Sequence, residues 1–351
     1  MSVVISGTGL FTPAEKISND ELVACFNSYV DKFNSENDEA IMQGTVAPLS
    51  HSSSAFIEKA SGIKSRYVMS KADILNVERM KPTFIERPND ALSLQAEIGV
   101  AAAKQAMAAA NKTPDDIDLI IVACAYTQRS YPAMAIEIQQ ALGCGGWGFD
   151  MLVACSAATF GIINAANAIR SGTAKTVLVI NPEILSPQIN YRDRDSHFIF
   201  GDVATASVIE DESTATGENV FKIIAEQPIT QFSNNIRSNI GYMNQCSPET
   251  ANDIDKYFIQ QGRKVFKEVL PMVSNLIASQ MDKVNLAQED IKRLYLHQAN
   301  INMNNFIGKK VLGREPTASE APIILDEYAN TSSAGCIIAL HKHHDGFNSG
   351  D

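Results

Sequence analysis

Residues 155–169 read CSAATFGIINAANAI, with no charged side chain anywhere in the run. A surface helix carries a polar stripe, whereas one that is apolar or small on every side has to be buried. The stretch Ser332–Leu340, SSAGCIIAL, has the same character. Two enclosed helices require layers on both sides of them. Short β-rich runs alternating with helical stretches point to the same α/β class.

Expected strands in the first half are Val3–Gly9, Leu119–Cys124, Gly148–Leu152, Thr176–Asn181 and Ala204–Glu210. After the polar linker Asp211–Glu218 come Val220–Glu226, Arg293–Leu296 and Ala321–Leu325. Helical stretches are expected over Asn252–Met281, Asn302–Leu312 and Ser332–His341. The order strand, long excursion, strand, helix, strand, helix occurs twice. The chain therefore reads as two pseudo-duplicated halves, 1–212 and 213–351, with insertions at 27–54 and 64–90. The first half adds two more strands. The second stops at Asp351 before such a pair, so its last two strands are expected to be lacking.

The chain is 351 residues long, 45% hydrophobic and 20% charged, which suits a globular enzyme. A net charge of −11 argues against nucleic acid as a partner, because phosphate binding needs a basic surface. No apolar run approaches the ~20 residues of a membrane span. The N-terminus, MSVVISGTGLF, has no basic region before its apolar stretch and reads as a strand, not a signal peptide. Cysteines 25, 124, 144, 155, 246 and 336 form no CxxC pair, so they read as reduced thiols of a cytoplasmic protein and not as a zinc site.

One thiol has a special position. Cys155 follows the run GFDMLVA and opens the uncharged helix. The positive end of a helix dipole there should lower its pKa and favour the nucleophilic thiolate. A free cysteine is more often a small packing residue. His297 ends an expected strand in Leu294-Tyr295-Leu296-His297-Gln298-Ala299-Asn300, where a histidine is a donor near neutral pH or a satisfied core residue. Asn330 precedes the second buried helix in Tyr328-Ala329-Asn330-Thr331-Ser332-Ser333, where a plain N-cap is the default. If the N-termini of the two buried helices face each other, Cys155 and Asn330 meet, with His297 arriving on a neighbouring strand. One nucleophile with two donors suits a thioester enolate, whose oxygen gains charge as malonate loses carbon dioxide.

The sequence resembles the β-ketoacyl-(acyl carrier protein) synthase III family of the thiolase-like superfamily. The resemblance rests on Asp150-Met151-Leu152-Val153-Ala154-Cys155, Phe200-Gly201-Asp202, His297-Gln298-Ala299-Asn300 and Asn330-Thr331-Ser332-Ser333, in family order and spacing. It implies a five-layer αβαβα fold and a catalytic set of Cys155, His297 and Asn330. Cys155 would take an acyl group from acyl-CoA. Malonyl-acyl carrier protein would then decarboxylate against His297 and Asn330 and condense, with no metal or other cofactor. The resemblance further implies a homodimer. It places Arg194 on the CoA adenine, Asn300 in support of a water network, and Tyr131 across the dimer interface at the acyl pocket. Lys267, Lys309 and Lys310, with Lys264 close by, fall at the carrier-docking positions. A net-acidic enzyme needs such a local basic patch to steer an acidic carrier.

The chain departs from the family in places. Phe56 stands where the family has a tryptophan over adenine, Ala60 where it has an arginine, and Asn302 where it has a docking arginine. The insertions suit a longer, medium-chain primer. The family ends with two strands and a glycine-rich loop that supplies an oxyanion donor, whereas here the chain reads Gly346-Phe347-Asn348-Ser349-Gly350-Asp351. Two other readings remain open: a same-fold acyltransferase or hydroxymethylglutaryl-CoA-synthase-like enzyme, and a non-catalytic acyl-binding or carrier-docking subunit. Gly7-Thr8-Gly9 lacks the third glycine of a dinucleotide fingerprint, since Thr12 occupies that position. His341, His343 and His344 read as a solvated helix end, not a metal site.

Overall fold

The computed structural model describes residues 2–350; Met1 and Asp351, the last residue of the Gly346–Asp351 tail, lie outside it. Strand β1 (Val3–Phe11) opens the chain. Next, β2 (Glu15–Ser18) leads into helix α1 (Asn19–Glu36) through a capping box in which Ser18 and Glu21 satisfy each other's end of the first turn. Short α2 (Asp38–Met42) and α3 (Ser54–Ser61) follow, then β3 (Ser65–Val68), which pairs antiparallel with β2. The 27–54 segment is thus partly helix, and the 64–90 segment begins with a strand.

The main sheet comes from the first half. After α4 (Leu94–Ala109) come β4 (Leu119–Cys124), α5 (Met134–Leu142), β5 (Trp147–Leu152), α6 (Ala157–Arg170), β6 (Thr176–Glu183) and β7 (Val203–Asp211). With β8 (Phe221–Lys222) on its edge, the order is β5-β4-β6-β7-β1-β8. β4 runs parallel to β5 and β6, and β7 runs antiparallel to β6 and β1. Every residue of β4 and β6 is buried, as expected when helices cover both faces. The alternation is visible in the packing. Ile120, Val122, Leu178 and Ile180 meet α4 and α5, while Leu119, Ile121, Val177 and Val179 meet α6. Gly7 and Gly9 serve this packing, not a phosphate loop: a Cβ on Gly9 would lie 2.0 Å from the Ala102 carbonyl oxygen, so α4 rests directly on the β1 backbone.

The second half departs from expectation. A small hairpin of β9 (Ile236–Arg237) and β10 (Ile259–Gln260) flanks α7 (Tyr242–Gln245), and then α8 (Gly262–Lys283), α9 (Ile301–Leu312), α10 (Leu325–Tyr328) and α11 (Ala334–Lys342) follow. Arg293–Leu296 and Ala321–Leu325 are not strands, and of Val220–Glu226 only Phe221–Lys222 is. In the first half β6 and β7 lie between β1 and β4. Among the described residues the second half has no counterpart of that pair. Its strand β8 attaches to the free edge of β1, and Leu294 N–H donates to the Glu320 carbonyl at 2.7 Å.

Helix α6 is also not enclosed all round. Ala157, Ala158, Gly161, Ala165, Ala166 and Ile169 are buried against the sheet, whereas Thr159, Asn164 and Asn167 are exposed.

Candidate active site

Cys155 sits one turn earlier than its sequence suggested. β5 ends at Leu152, a single 3-10 turn spans Ala154–Ser156, and α6 begins only at Ala157. Ala154 takes a left-handed φ of +46° to make this bend. Ala329 at +58° and Ser332 at +50° do the same on the facing loop. A non-glycine residue held there costs about 1–3 kcal/mol and persists only where its surroundings enforce it. Both walls of this site are built from such residues.

The loop before α11 is tied down at each end. Asn330 N–H donates to the Ile199 carbonyl at 3.0 Å, and Gly201 N–H donates to the Asn330 carbonyl at 3.2 Å. The Asn330 Oδ1 accepts from Ser332 N–H at 2.9 Å. Asn330 is therefore not the N-cap of α11; that position belongs to Ser333. With Oδ1 committed, Asn330 has its NH2 to offer as a donor. Ser333 fastens the other end, its N–H donating to Glu183 Oε1 at 3.2 Å and its hydroxyl to the same oxygen.

Ser332 is where the expected residues meet. Its hydroxyl lies 3.9 Å from Cys155 Sγ. Its N–H holds Asn330, and its backbone lies close enough to the His297 ring to oppose slightly the fall in that ring's pKa. His297 is largely enclosed, and its Nδ1 has no hydrogen-bond partner. Burial pushes its pKa down to about 4, so the ring is neutral at physiological pH and can donate from one nitrogen.

The thiol contradicts the helix-dipole expectation. Desolvation, then the nearby Glu183 carboxyl, push Cys155 up to about 11; the Ser332 hydroxyl opposes them weakly. The turn between Cys155 and α6, together with burial, outweighs the dipole. Glu183, fully buried at the end of β6, is itself pushed up to about 7 by burial, against hydrogen bonds from Ser333 and the Ala125 N–H.

Sequence reasoning passed over both Ser332 and Glu183. Ser332 stood inside a quoted motif, and the signal for Glu183 was a lone carboxylate ending an apolar strand.

The other expected residues fall in separate groups. Arg194 and Phe56 are together, the guanidinium 4.1 Å from the ring centroid, with Arg194 Nε donating to the His51 carbonyl at 2.8 Å. Asn300 caps α9 through Asn302 N–H and donates to the Ala60 carbonyl at 2.8 Å. Tyr131, at a cis bond to Pro132, is 85% exposed, which rules out a core role; within the chain it joins none of the other site residues. Lys264 and Lys267 are exposed on α8, and Lys309 and Lys310 on the neighbouring α9. Lys309 is paired with Glu315 at 2.6 Å. His341 bonds Thr8, His344 bonds the His341 carbonyl, and among the described residues no cluster of His, Cys, Asp or Glu could hold a metal ion. No helix among them is long and apolar enough to cross a membrane.

The profile of the family described as 3-oxoacyl-[acyl-carrier-protein] synthase III matches residues 149–226, and the profile of that family's C-terminal part matches 281–351. The chain is 52% identical over 325 residues to the β-ketodecanoyl-[acyl-carrier-protein] synthase of Pseudomonas aeruginosa, covering 93% of each. It is 27% identical over 343 residues to the β-ketoacyl-[acyl-carrier-protein] synthase III of Granulibacter bethesdensis, covering 97% of this chain and 89% of that one. The crystal structure of the Aquifex aeolicus 3-oxoacyl-[acyl-carrier-protein] synthase III superposes with a TM-score of 0.73 at 25% identity, covering 97% of this chain and 90% of that one. Motif order, thiolase-like fold and overall similarity agree, and the chain belongs to the 3-oxoacyl-[acyl-carrier-protein] synthase III family of condensing acyltransferases.

Proposed function

We propose that the protein condenses a medium-chain acyl-CoA primer with malonyl-acyl carrier protein through a thioester on Cys155. The observation that carries this reading is the convergence of Cys155, His297 and Asn330 on Ser332. Cys155 attacks the primer thioester and releases free CoA. Malonyl thioester then enters. His297, as neutral imidazole, and the Asn330 NH2 donate to its carbonyl oxygen as carbon dioxide leaves, and the carbanion attacks the Cys155 thioester to give a 3-ketoacyl product. Both donors keep their protons throughout, which suits a histidine that resists protonation. A β-ketodecanoyl product, the one named for the Pseudomonas relative, is an octanoyl primer extended by the two carbons that malonate leaves behind.

On this reading CoA lies at Arg194 and Phe56. They stack directly on each other, so an adenine has to part them. The α8 and α9 lysines dock the carrier, and a second copy of the chain brings Tyr131 to the acyl pocket. The test is mass analysis of Cys155 after incubation with a panel of acyl-CoAs, followed by malonyl-carrier protein. An octanoyl adduct that malonyl-carrier protein discharges as a 3-ketoacyl product supports condensation. An adduct that is never discharged supports simple acyl transfer, and no adduct with any primer removes the enzymatic reading.

A further inference from the structure

A cavity of about 260 Å³ lies between three segments: the turn at 79–81, the loop at 189–192 beyond β6, and residues 252–257 ahead of β10. Three of its lining residues are cations, Arg79, Lys81 and Arg192, and none is a carboxylate. In a chain of net charge −11 this is a local reversal of sign. The acidic side chains around it are engaged with cations of their own. Asp73 pairs with Arg79 at 3.2 Å, Glu78 with Lys32, and Asp255 with Lys256 at 2.9 Å. Among the described residues neither Lys81 nor Arg192 has a carboxylate partner.

Both walls are fixed in place. Arg192 donates to the Glu78 carbonyl at 3.1 Å, and its guanidinium lies 5.3 Å from the Tyr29 ring centroid. Those contacts set its direction without cancelling its charge. Between Arg79 and Lys81, Met80 takes a left-handed φ of +48° with its side chain buried, and Arg79 N–H and Met80 N–H both donate to the Asn76 carbonyl. Like charges gathered on fixed supports repel one another. An anion with several acceptor oxygens relieves that repulsion and gains charge-assisted hydrogen bonds.

The cavity adjoins the proposed substrate path. Arg192 is two residues from Arg194, and two residues of chain reach at most about 7 Å. Tyr257, which also lines the cavity, precedes Phe258, whose ring lies 4.7 Å from that of Phe200, the residue that bridges to Asn330.

We propose that this cavity binds the phosphate monoester on the ribose of CoA. The proposal rests on the reading that acyl-CoA is the primer, with its adenine at Arg194 and Phe56. That phosphate is one sugar away from the adenine, and the cavity is one short stretch of chain away from Arg194. The volume admits a phosphate with part of its sugar and falls below the ~300–1,000 Å³ of a site for a whole small-molecule ligand. Lys81 and Arg192 bind the phosphate oxygens, and the already paired Arg79 adds its field. The segment at 64–90 thereby gains a task in substrate recognition.

The experiment measures the second-order rate constant for Cys155 acylation, by adduct mass, with octanoyl-CoA and with octanoyl-3′-dephospho-CoA. The wild type should favour octanoyl-CoA about tenfold, the worth of one charge-assisted hydrogen bond. In Lys81→Glu and in Arg192→Gln that ratio should fall toward one. Adenosine 3′,5′-bisphosphate should slow acylation of the wild type and act about tenfold more weakly on both variants. Should Arg192→Gln fail to fold for want of its packing on Tyr29, Lys81→Glu carries the test. A ratio of one in the wild type overturns the proposal, and so does a wild-type ratio in Lys81→Glu. A Lys81→Glu protein that keeps the ratio but raises the KM for malonyl-carrier protein assigns the cavity to the carrier and overturns it as well. In each of these outcomes octanoyl-CoA still loads Cys155, so the acyl-CoA reading stands. No adduct from octanoyl-CoA overturns that reading and the proposal with it.

Discussion

Replacing Gly201 by alanine should damage condensation more than primer loading. The residue lies in Phe200-Gly201-Asp202, where Phe200 bridges to Asn330 and Gly201 N–H holds the Asn330 carbonyl. A Cβ at this position would lie 2.4 Å from the Tyr328 carbonyl oxygen and 3.3 Å from both Arg66 Cβ and the Tyr67 carbonyl. A close C···O approach is about 3.3 Å, so the Tyr328 carbonyl has to withdraw by roughly 0.9 Å. That carbonyl is two residues from Asn330 and its neighbours are backbone, which cannot rotate away as a side chain does. Overpacking of this kind costs about 1–3 kcal/mol. Moving a positioned group by about 1 Å costs about 10²-fold in rate. Ser333 stays anchored on Glu183, so the Cys155 end of the loop is disturbed less. Urea titration gives the stability cost. Acylation of Cys155, followed by mass, and turnover with malonyl-carrier protein give the two half-reactions separately. A Gly201→Ala protein with an unchanged urea midpoint and wild-type condensation would refute the argument that this glycine sets the position of Asn330.

Cys155 should still gain reactivity toward iodoacetamide tenfold per pH unit at pH 9, because its thiol titrates at about 11; peptide mass mapping that finds a plateau below pH 8 would restore the dipole-activated thiolate. His197 is buried, stacks on Phe26 and is pushed down to about 4 by burial. Its folded pKa lies below the unfolded 6.5, so the stability it carries is present above pH 6.5 and lost as pH falls through 4. Between pH 7 and pH 4 the wild type should lose about 3 kcal/mol more than His197→Phe, and equal losses in urea titrations would contradict this. Charge reversal at Lys264, Lys267 and Lys310 should raise the KM for malonyl-carrier protein and flatten its salt dependence while leaving Cys155 acylation intact; an unchanged KM would move the docking surface elsewhere.

What could be read from the sequence was set by local forces. β4 matches its expected bounds, Leu119–Cys124, because an apolar run buried on both faces needs no distant information to identify it. Helix α1 was not among the expected helices, although the capping box Ser18-Asn19-Asp20-Glu21, followed by Leu22, Cys25, Phe26 and Val30 on one face, carries its signal locally. Other features depended on partners far along the chain. Arg293–Leu296 has the composition of a strand, but a strand needs neighbours. The direction of the Cys155 shift reversed because the fold buries the thiol and, secondarily, sets Glu183 beside it, and Glu183 is held by Ser333, 150 residues away. All four of the site's motifs were legible as motifs. That they meet at Ser332 was not, because a small hydroxyl residue carries no periodic signal.

The separation of 177 positions between Cys155 and Ser332 also governs when this enzyme comes into being. A ribosome that has released β1 to β7 has delivered the main sheet and the nucleophile. His297, Asn330 and Ser332 arrive only with the last part of the chain, after a loop closure whose entropy the early contacts do not offset. Activity should therefore appear as the final event of folding, which keeps a nascent thiol from acylating before the donors that use the acyl group are in place.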